Sequence, residues 1–126
     1  MRDITFEDSK MIGIRYENCT DFGLAFSFTR CQLQHSSFYG LSLKKIVFKE
    51  CSLQEIDFSE SDLSQAVFEN CDLLRANFYH TNLEKADFRS ACNYSIDPEN
   101  NKLKKARFSV SGIAGLLDKY NLQIEH

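Results

Sequence analysis

The chain contains no tryptophan, a single proline (Pro98) and only five scattered glycines. No GxGxxG or GxxxxGK occurs, so there is no glycine-rich loop to cradle a phosphate. No apolar run approaches the ~18 residues needed to cross a bilayer, and Met1 is followed by charge rather than by the apolar stretch of a signal peptide. These absences lead us to expect a soluble, cytoplasmic protein without membrane contact. Cysteines number five (Cys19, Cys31, Cys51, Cys71 and Cys92), an odd count with no CxxC pair. Neither a disulfide framework nor a zinc site is suggested. A basic excess is lacking too: 15 Lys and Arg face 18 Asp and Glu, for a net charge of −3. Bulk charge therefore does not argue for direct binding to nucleic acid. His35, His80 and His126 fall in different regions, and no Ser–His–Asp or Cys–His grouping converges. The reading is of a non-enzyme that needs no cofactor or metal.

What the chain does have is phenylalanine, eleven of them in 126 residues, and they are not scattered. Thirteen large apolar residues follow one another at every fifth position: Phe28, Leu33, Phe38, Leu43, Phe48, Leu53, Phe58, Leu63, Phe68, Leu73, Phe78, Leu83 and Phe88. A helix repeats every 3.6 residues and a strand every two, so neither explains a period of five. Two residues before each centre stands a mostly small or apolar residue, such as Cys31, Ile46, Cys51, Ile56, Ala66, Cys71, Ala76 or Ala86. The residue between is usually polar, as in Asp57, Asp62, Asp72, Asn77, Asn82 and Asp87. Each unit thus reads in, out, in, followed by two largely polar residues. Three residues of extended wall and two of corner satisfy that pattern, because strand side chains alternate between faces. Repeated corners coil the chain around an apolar interior, an all-β solenoid.

The number of walls follows from which residues would stack. With three walls, residues fifteen apart meet and Phe falls on Leu. With four walls, residues twenty apart meet: Phe28, Phe48, Phe68 and Phe88 form one column and Phe38, Phe58 and Phe78 the opposite one. Leu33, Leu53 and Leu73 make a third, Leu43, Leu63 and Leu83 a fourth, and Cys31, Cys51 and Cys71 share a column of their own. Four walls put like on like throughout, and the cysteines read as interior packing.

The units "CSLQE", "SDLSQ", "CDLLR", "ANFYH", "TNLEK" and "ADFRS" resemble the A(D/N)LXX pattern of pentapeptide-repeat proteins over residues 26–90. That resemblance implies a right-handed quadrilateral β-helix. The expected organisation is a repeat β-helix over residues 1–110, with a short C-terminal capping helix and tail over 111–126. Upstream, Phe6, Met11 and Tyr16 are five apart but two residues out of phase with the main run, so slack is expected near 18–26, where Gly23 permits a corner loop. Coil starts within the first few residues, leaving no room for an N-terminal cap; a longer solenoid or another covering element is expected there. Downstream, "CNYSIDPENNK" (92–102) reads as an excursion, after which Leu103 and Phe108 return in frame. In "SGIAGLLDKY", Ser111 is the expected N-cap of a helix presenting Ile113, Leu116, Leu117 and Tyr120 on one face, with Leu122 and Ile124 completing the lid.

Between Lys49 and Arg75 lie seven acids and no base: Glu50, Glu55, Asp57, Glu60, Asp62, Glu69 and Asp72. Twenty residues make one coil, so these form a belt around the rod rather than a stripe along it. Stacking pairs His35 with Glu55 and His80 with Glu60, sets Glu69 between Lys49 and Arg89, and brings Glu55 beside Arg75. Such surface pairs contribute a few tenths to ~1 kcal/mol each. On the third wall Tyr39 and Tyr79 project outward around Ser59, which reads as an exposed position of little energetic weight.

The expected function is a non-catalytic protein-interaction or structural module of unassigned partner. Its candidate surface is Tyr39, Tyr79, Glu55, Asp57, Glu60 and Asp62. The alternative comes from resemblance alone. "IDP" (96–98) and "SGI" (111–113), leading into a short helix, are similar to the C-terminal end of the quinolone-resistance pentapeptide proteins. Those proteins mimic DNA and bind type II topoisomerases such as gyrase. The same resemblance implies a homodimer through Ile113, Leu116, Leu117 and Tyr120.

Overall fold

The computed structural model describes residues 3–16 and 25–117. Six short strands, β1 (Asp3–Glu7), β2 (Ala25–Thr29), β3 (Val47–Lys49), β4 (Val67–Glu69), β5 (Asp87–Phe88) and β6 (Arg107–Phe108), pair in sequence order as one parallel sheet. This sheet is the first wall of the coil. The other walls consist of single parallel bridges. Lys10, Gln32, Ser52, Asp72 and Cys92 form the second; Arg15, Ser37, Asp57 and Asn77 the third; Ser42, Asp62, Asn82 and Lys102 the fourth. From Ser27↔Val47 onward every partner lies twenty residues away. The four-walled parallel β-helix inferred from stacking is the fold.

The first coil pairs at an offset of 22 instead, Phe6 lying against Phe28 and Arg15 against Ser37. Tyr16 still donates to the Ser37 carbonyl at 2.8 Å, so the two additional residues lie between Tyr16 and Ala25. That segment, with Gly23, is outside the described residues.

Inside, the rings stack as columns. Centroids along the first column are 5.1 Å apart for Phe6–Phe28, 5.3 Å for Phe28–Phe48, 5.5 Å for Phe48–Phe68, 4.8 Å for Phe68–Phe88 and 5.3 Å for Phe88–Phe108. The opposite column runs from Tyr16 through Phe38 and Phe58 to Phe78. The two columns meet edge to face, as at Phe48–Phe58, 5.8 Å and 62°. Aromatic pairs prefer both arrangements because edge and face carry opposite partial charge.

Corners close in two ways. At most of them the N–H three residues after a centre returns to that centre's carbonyl, as Ile46 to Leu43 at 3.0 Å and Ala66 to Leu63 at 3.0 Å. The residue before the returning N–H has positive φ, for example Lys45 (67°), Glu55 (57°), Gln65 (61°) and Lys85 (60°). L-residues ordinarily avoid that region. Here ladder bonds hold it: Glu55 N donates to Leu74 O at 2.9 Å and Lys85 N to Lys104 O at 2.9 Å. At the corner after the first wall, thiols serve the carbonyls. Cys31, Cys51 and Cys71 each lie 3.3 Å from the phenylalanine-column carbonyl of the preceding coil, those of Phe6, Phe28 and Phe48. At the third corner Thr81 does the same, donating to Phe58 O of the preceding coil at 2.9 Å, while Ser61 donates to that carbonyl from within its own coil at 2.6 Å. The small interior residues therefore satisfy backbone groups as well as filling space.

The C-terminal end differs from expectation. Residues 93–100 leave the third wall, yet Cys92 still bridges Asp72 and Lys102 bridges Asn82, so the chain rejoins without losing frame. Asn101 supplies the missing rung: its Nδ2 donates to Phe78 O at 2.8 Å and its Oδ1 accepts from Thr81 N at 2.8 Å. The excursion is also core, because Tyr94 and Ile96 are buried and Tyr94 packs tilted against both the Phe88 and Phe108 rings. The helix that follows is a 3₁₀ helix, Val110–Leu116, and its N-cap is Ser109, whose side chain accepts from Gly112 N. Ser111, the expected cap, lies inside it. In a 3₁₀ helix residues three apart eclipse, which sets Gly112 and Gly115 in one row over Tyr94. A Cβ at either glycine would collide with that tyrosine, and Gly115 O accepts from Ile96 N at 2.9 Å. This docking takes the place of the apolar α-helical face.

Phe58→Ala should cost ~3–5 kcal/mol in chemical denaturation, since the ring is fully buried between Phe38 and Phe78. Ser59, expected exposed, is buried, and its hydroxyl donates to Asp57 Oδ1 at 2.6 Å. Ser59→Ala should therefore cost about 1 kcal/mol rather than nothing; equal losses at the two positions would contradict the inward–outward assignment. Cys31, Cys51 and Cys71 are buried free thiols and Cys92 is exposed. Burial pushes the Cys31 thiol up, and a hydrogen bond donated to Cys51 together with burial pushes Cys71 up. Peptide-resolved labelling with a thiol reagent should modify Cys92 in the native state and these three only on unfolding. Fast native labelling of any of the three would overturn the interior column.

Candidate interaction surfaces

The Asp or Asn that precedes a centre has a structural task at five positions. Asp57 Oδ1 accepts from Ser59 N at 2.9 Å, Asp62 from Ser64 N at 2.9 Å, Asp72 from Leu74 N at 3.1 Å and Asp87 from Arg89 N at 3.0 Å. Asn82 does the same for Glu84 N at 3.1 Å. A short side chain bonding the backbone two residues on is the Asx turn, and here it starts these five corners. Asp57 and Asp62, taken from the sequence as candidate surface acids, are half-buried in these turns. Partial burial raises the Asp72 carboxyl, but hydrogen bonds from Gln54, Asn93 and the Leu74 N–H together outweigh it and hold the group below the usual range.

The glutamates of the belt are divided. His35 lies 3.3 Å from Glu55, the pairing expected from the twenty-residue count. Glu60 instead accepts from the Tyr39 hydroxyl at 2.5 Å, while His80, its expected partner, stacks on Tyr79 with centroids 4.0 Å apart. Arg89 forms its ion pair with Asp87, two residues back, at 2.9 Å rather than with Glu69. At the corner after the first wall, Arg30 reaches Asp8 at 2.6 Å and Glu50 at 4.0 Å. The hydrogen bond from Arg30 holds the Asp8 carboxyl below its ordinary value.

The predicted surface residues divide between two clefts, and Tyr79 lines neither. Tyr39 is 46% exposed and Tyr79 51%, on either side of buried Ser59. Glu55, Asp57 and Tyr39 line one open cleft of about 470 Å³ with Arg15 and His35. Glu60 and Asp62 line another, about 460 Å³, with His80, Asn82, Glu99 and Lys102. The second cleft includes residues that the sequence reading had not selected. Glu99 comes from the excursion, where the twenty-residue count no longer applies, so the repeat pattern carried no signal for it. Among the described residues no group of three or more His, Cys, Asp and Glu side chains could hold a metal ion. Of the expected dimer contacts, Ile113 is 47% exposed, Leu116 packs on the core and Leu117 is half-buried. Tyr120 lies outside the described residues, as do Leu122 and Ile124.

A family model described as pentapeptide repeats matches eight copies over residues 27–65 and 51–90. Among solved structures the chain is similar to Rfr23, a pentapeptide repeat protein of the cyanobacterium Cyanothece 51142. That likeness has 23% identity over 86% of both chains and a TM-score of 0.44. It is also similar to HetL of the cyanobacterium Nostoc, a pentapeptide repeat protein involved in heterocyst differentiation regulation. Here identity is 23% over 71% of this chain and 37% of that one, with a TM-score of 0.38. QnrB1, a plasmid-mediated fluoroquinolone resistance protein, aligns at 16% identity over 97% of this chain and 92% of that one, with a TM-score of 0.33. No curated protein sequence matches the chain. Likenesses at these identities bear on the fold alone. With eight repeats matched and every one of them folded into a wall of the coil, the chain belongs to the pentapeptide-repeat family.

Proposed function

We propose that this protein is a non-catalytic interaction module that engages a protein partner through its third wall. The observation that carries the reading is the pair Tyr39 and Tyr79, each about half exposed and each already held, one by Glu60 and the other by His80. Aromatic rings are enriched at protein interfaces. A ring fixed before its partner arrives gives up little conformational freedom on binding. The walls beneath are laddered to the coils on both sides, so the spacing of the two rings is set by the fold.

The topoisomerase-binding alternative draws less support from the same surface. A DNA mimic needs carboxylates along a face, free to act as phosphate surrogates. In this chain Asp57, Asp62, Asp72 and Asp87 bond their own turns, and Glu55 and Glu60 are engaged by His35 and Tyr39.

The test is site-directed photo-crosslinking in lysate of the source cell. Benzoylphenylalanine in place of Tyr79 should give a discrete product that is lost when Tyr39→Ser is added. The same product from benzoylphenylalanine at Asn70, on a different corner, would contradict the assignment. Inhibition of gyrase supercoiling that weakens with salt and with Glu60→Gln plus Asp62→Asn would establish the topoisomerase alternative instead.

A further inference from the structure

A net charge of −3 conceals a basic edge. The corner that follows the fourth wall is built from the two residues after each leucine of the Leu43, Leu63, Leu83 and Leu103 column. Those residues are Lys44 and Lys45, Ser64 and Gln65, Glu84 and Lys85, and Lys104 and Lys105. Lys102 stands just ahead on the same wall. Six of the chain's 15 basic residues, Lys44, Lys45, Lys85, Lys102, Lys104 and Lys105, thus share one edge with a single glutamate. All six are exposed. Among the described residues none of them forms an ion pair, whereas Arg30, His35 and Arg89 all do.

The fold fixes the row. Lys45 N donates to Ser64 O, Gln65 N to Glu84 O and Lys85 N to Lys104 O, at 2.9, 2.8 and 2.9 Å. Lys45, Gln65, Lys85 and Lys105 repeat the same left-handed backbone, with φ of 67°, 61°, 60° and 60°. Lys85 and Lys105 therefore sit on adjacent rungs, ~4.8 Å apart along the rod. Like charges so placed repel and destabilise a sheet. Anionic charge from outside the chain would relieve it.

We propose that this edge docks a short acidic segment of a partner protein, laid along the rod. From Lys45 to Lys105 is three rungs, about 14 Å, the length of about four extended residues. Width selects a peptide over larger polyanions. The neighbouring corner carries Glu60 and Glu99, and Asp62 stands on the fourth wall. A duplex or a membrane surface is wider than one wall and would bring its own charge within about a Debye length, ~10 Å, of those acids. A single acidic strand need not. This site extends the interaction reading but stands on a different corner from Tyr39 and Tyr79, so either can fail without the other.

The test is fluorescence anisotropy with a dye-labelled hexaglutamate peptide and the full chain. We expect saturable binding that weakens roughly tenfold between low and physiological salt. Lys45→Gln, Lys85→Gln and Lys105→Gln together should weaken it by about as much, with the melting temperature no lower, because Gln65 already occupies that row and the like-charge repulsion is removed. Lys10→Gln, Lys49→Gln and Arg75→Gln together make the same change in net charge away from the edge and should leave binding intact. Equal loss in both triple variants, or loss in neither, would overturn the proposal. So would binding of a DNA duplex or of phosphatidylserine vesicles by a chain that ignores the peptide.

Discussion

Stacking of like side chains from one coil to the next is the interaction on which the rest of this structure depends. Strand ladders set the distance between coils, and phenylalanine rings lying almost parallel at 4.8 to 5.5 Å fit that distance along the first column. A ring over a leucine would leave a void on one side and crowd the other, and close-packed interiors tolerate neither. Register is therefore locked in steps of twenty residues. The left-handed corners follow from it, since ladder bonds hold a conformation that residues such as Glu55 and Lys85 would not choose alone. The thiol and hydroxyl columns follow too, because identical corners leave identical carbonyls to satisfy.

The surface inherits the same regularity. Each outward position becomes a row parallel to the rod, so function can be written in rows without touching the core. Along the third wall the row holds Tyr39, Ser59 and Tyr79; along the edge after the fourth it holds Lys45, Gln65, Lys85 and Lys105. The acidic residues behave differently. Much of their charge is spent in Asx turns and local pairs, which is why a belt conspicuous in the linear sequence is muted in the fold.

What could be read from the sequence was what the core imposes. Phe, Leu and Cys columns are legible because burial restricts residue type at every turn. The Asx turns were visible only as a polar position, since alternation says that Asp57 or Asp62 points outward but not what it bonds. The positive-φ corners carried no signal, because Glu, Lys, Arg and His fill most of them and the ladder imposes the conformation. Tyr94 and Ile96 were hidden by their setting, a proline- and asparagine-rich stretch that looks like a surface loop yet buries both side chains. The helix suffered from the opposite fault: Ile113, Leu116 and Leu117 match an α-helical face, but close packing of Gly112 and Gly115 on Tyr94 favours the tighter 3₁₀ winding. Lysines twenty residues apart become neighbours only once the chain is wrapped.

The central claim, a register locked in steps of one coil, is tested most directly by comparing two internal deletions by thermal melting. Removing residues 49–68 takes out one full coil and leaves Phe on Phe and Cys on Cys above and below the cut. Removing 64–68 takes out only a quarter of the residues but turns every later wall by one face, setting Phe on Leu. The account predicts a cooperative melt for the larger deletion and a lost or much lowered transition for the smaller. A more stable protein from the five-residue deletion than from the twenty-residue one would contradict it.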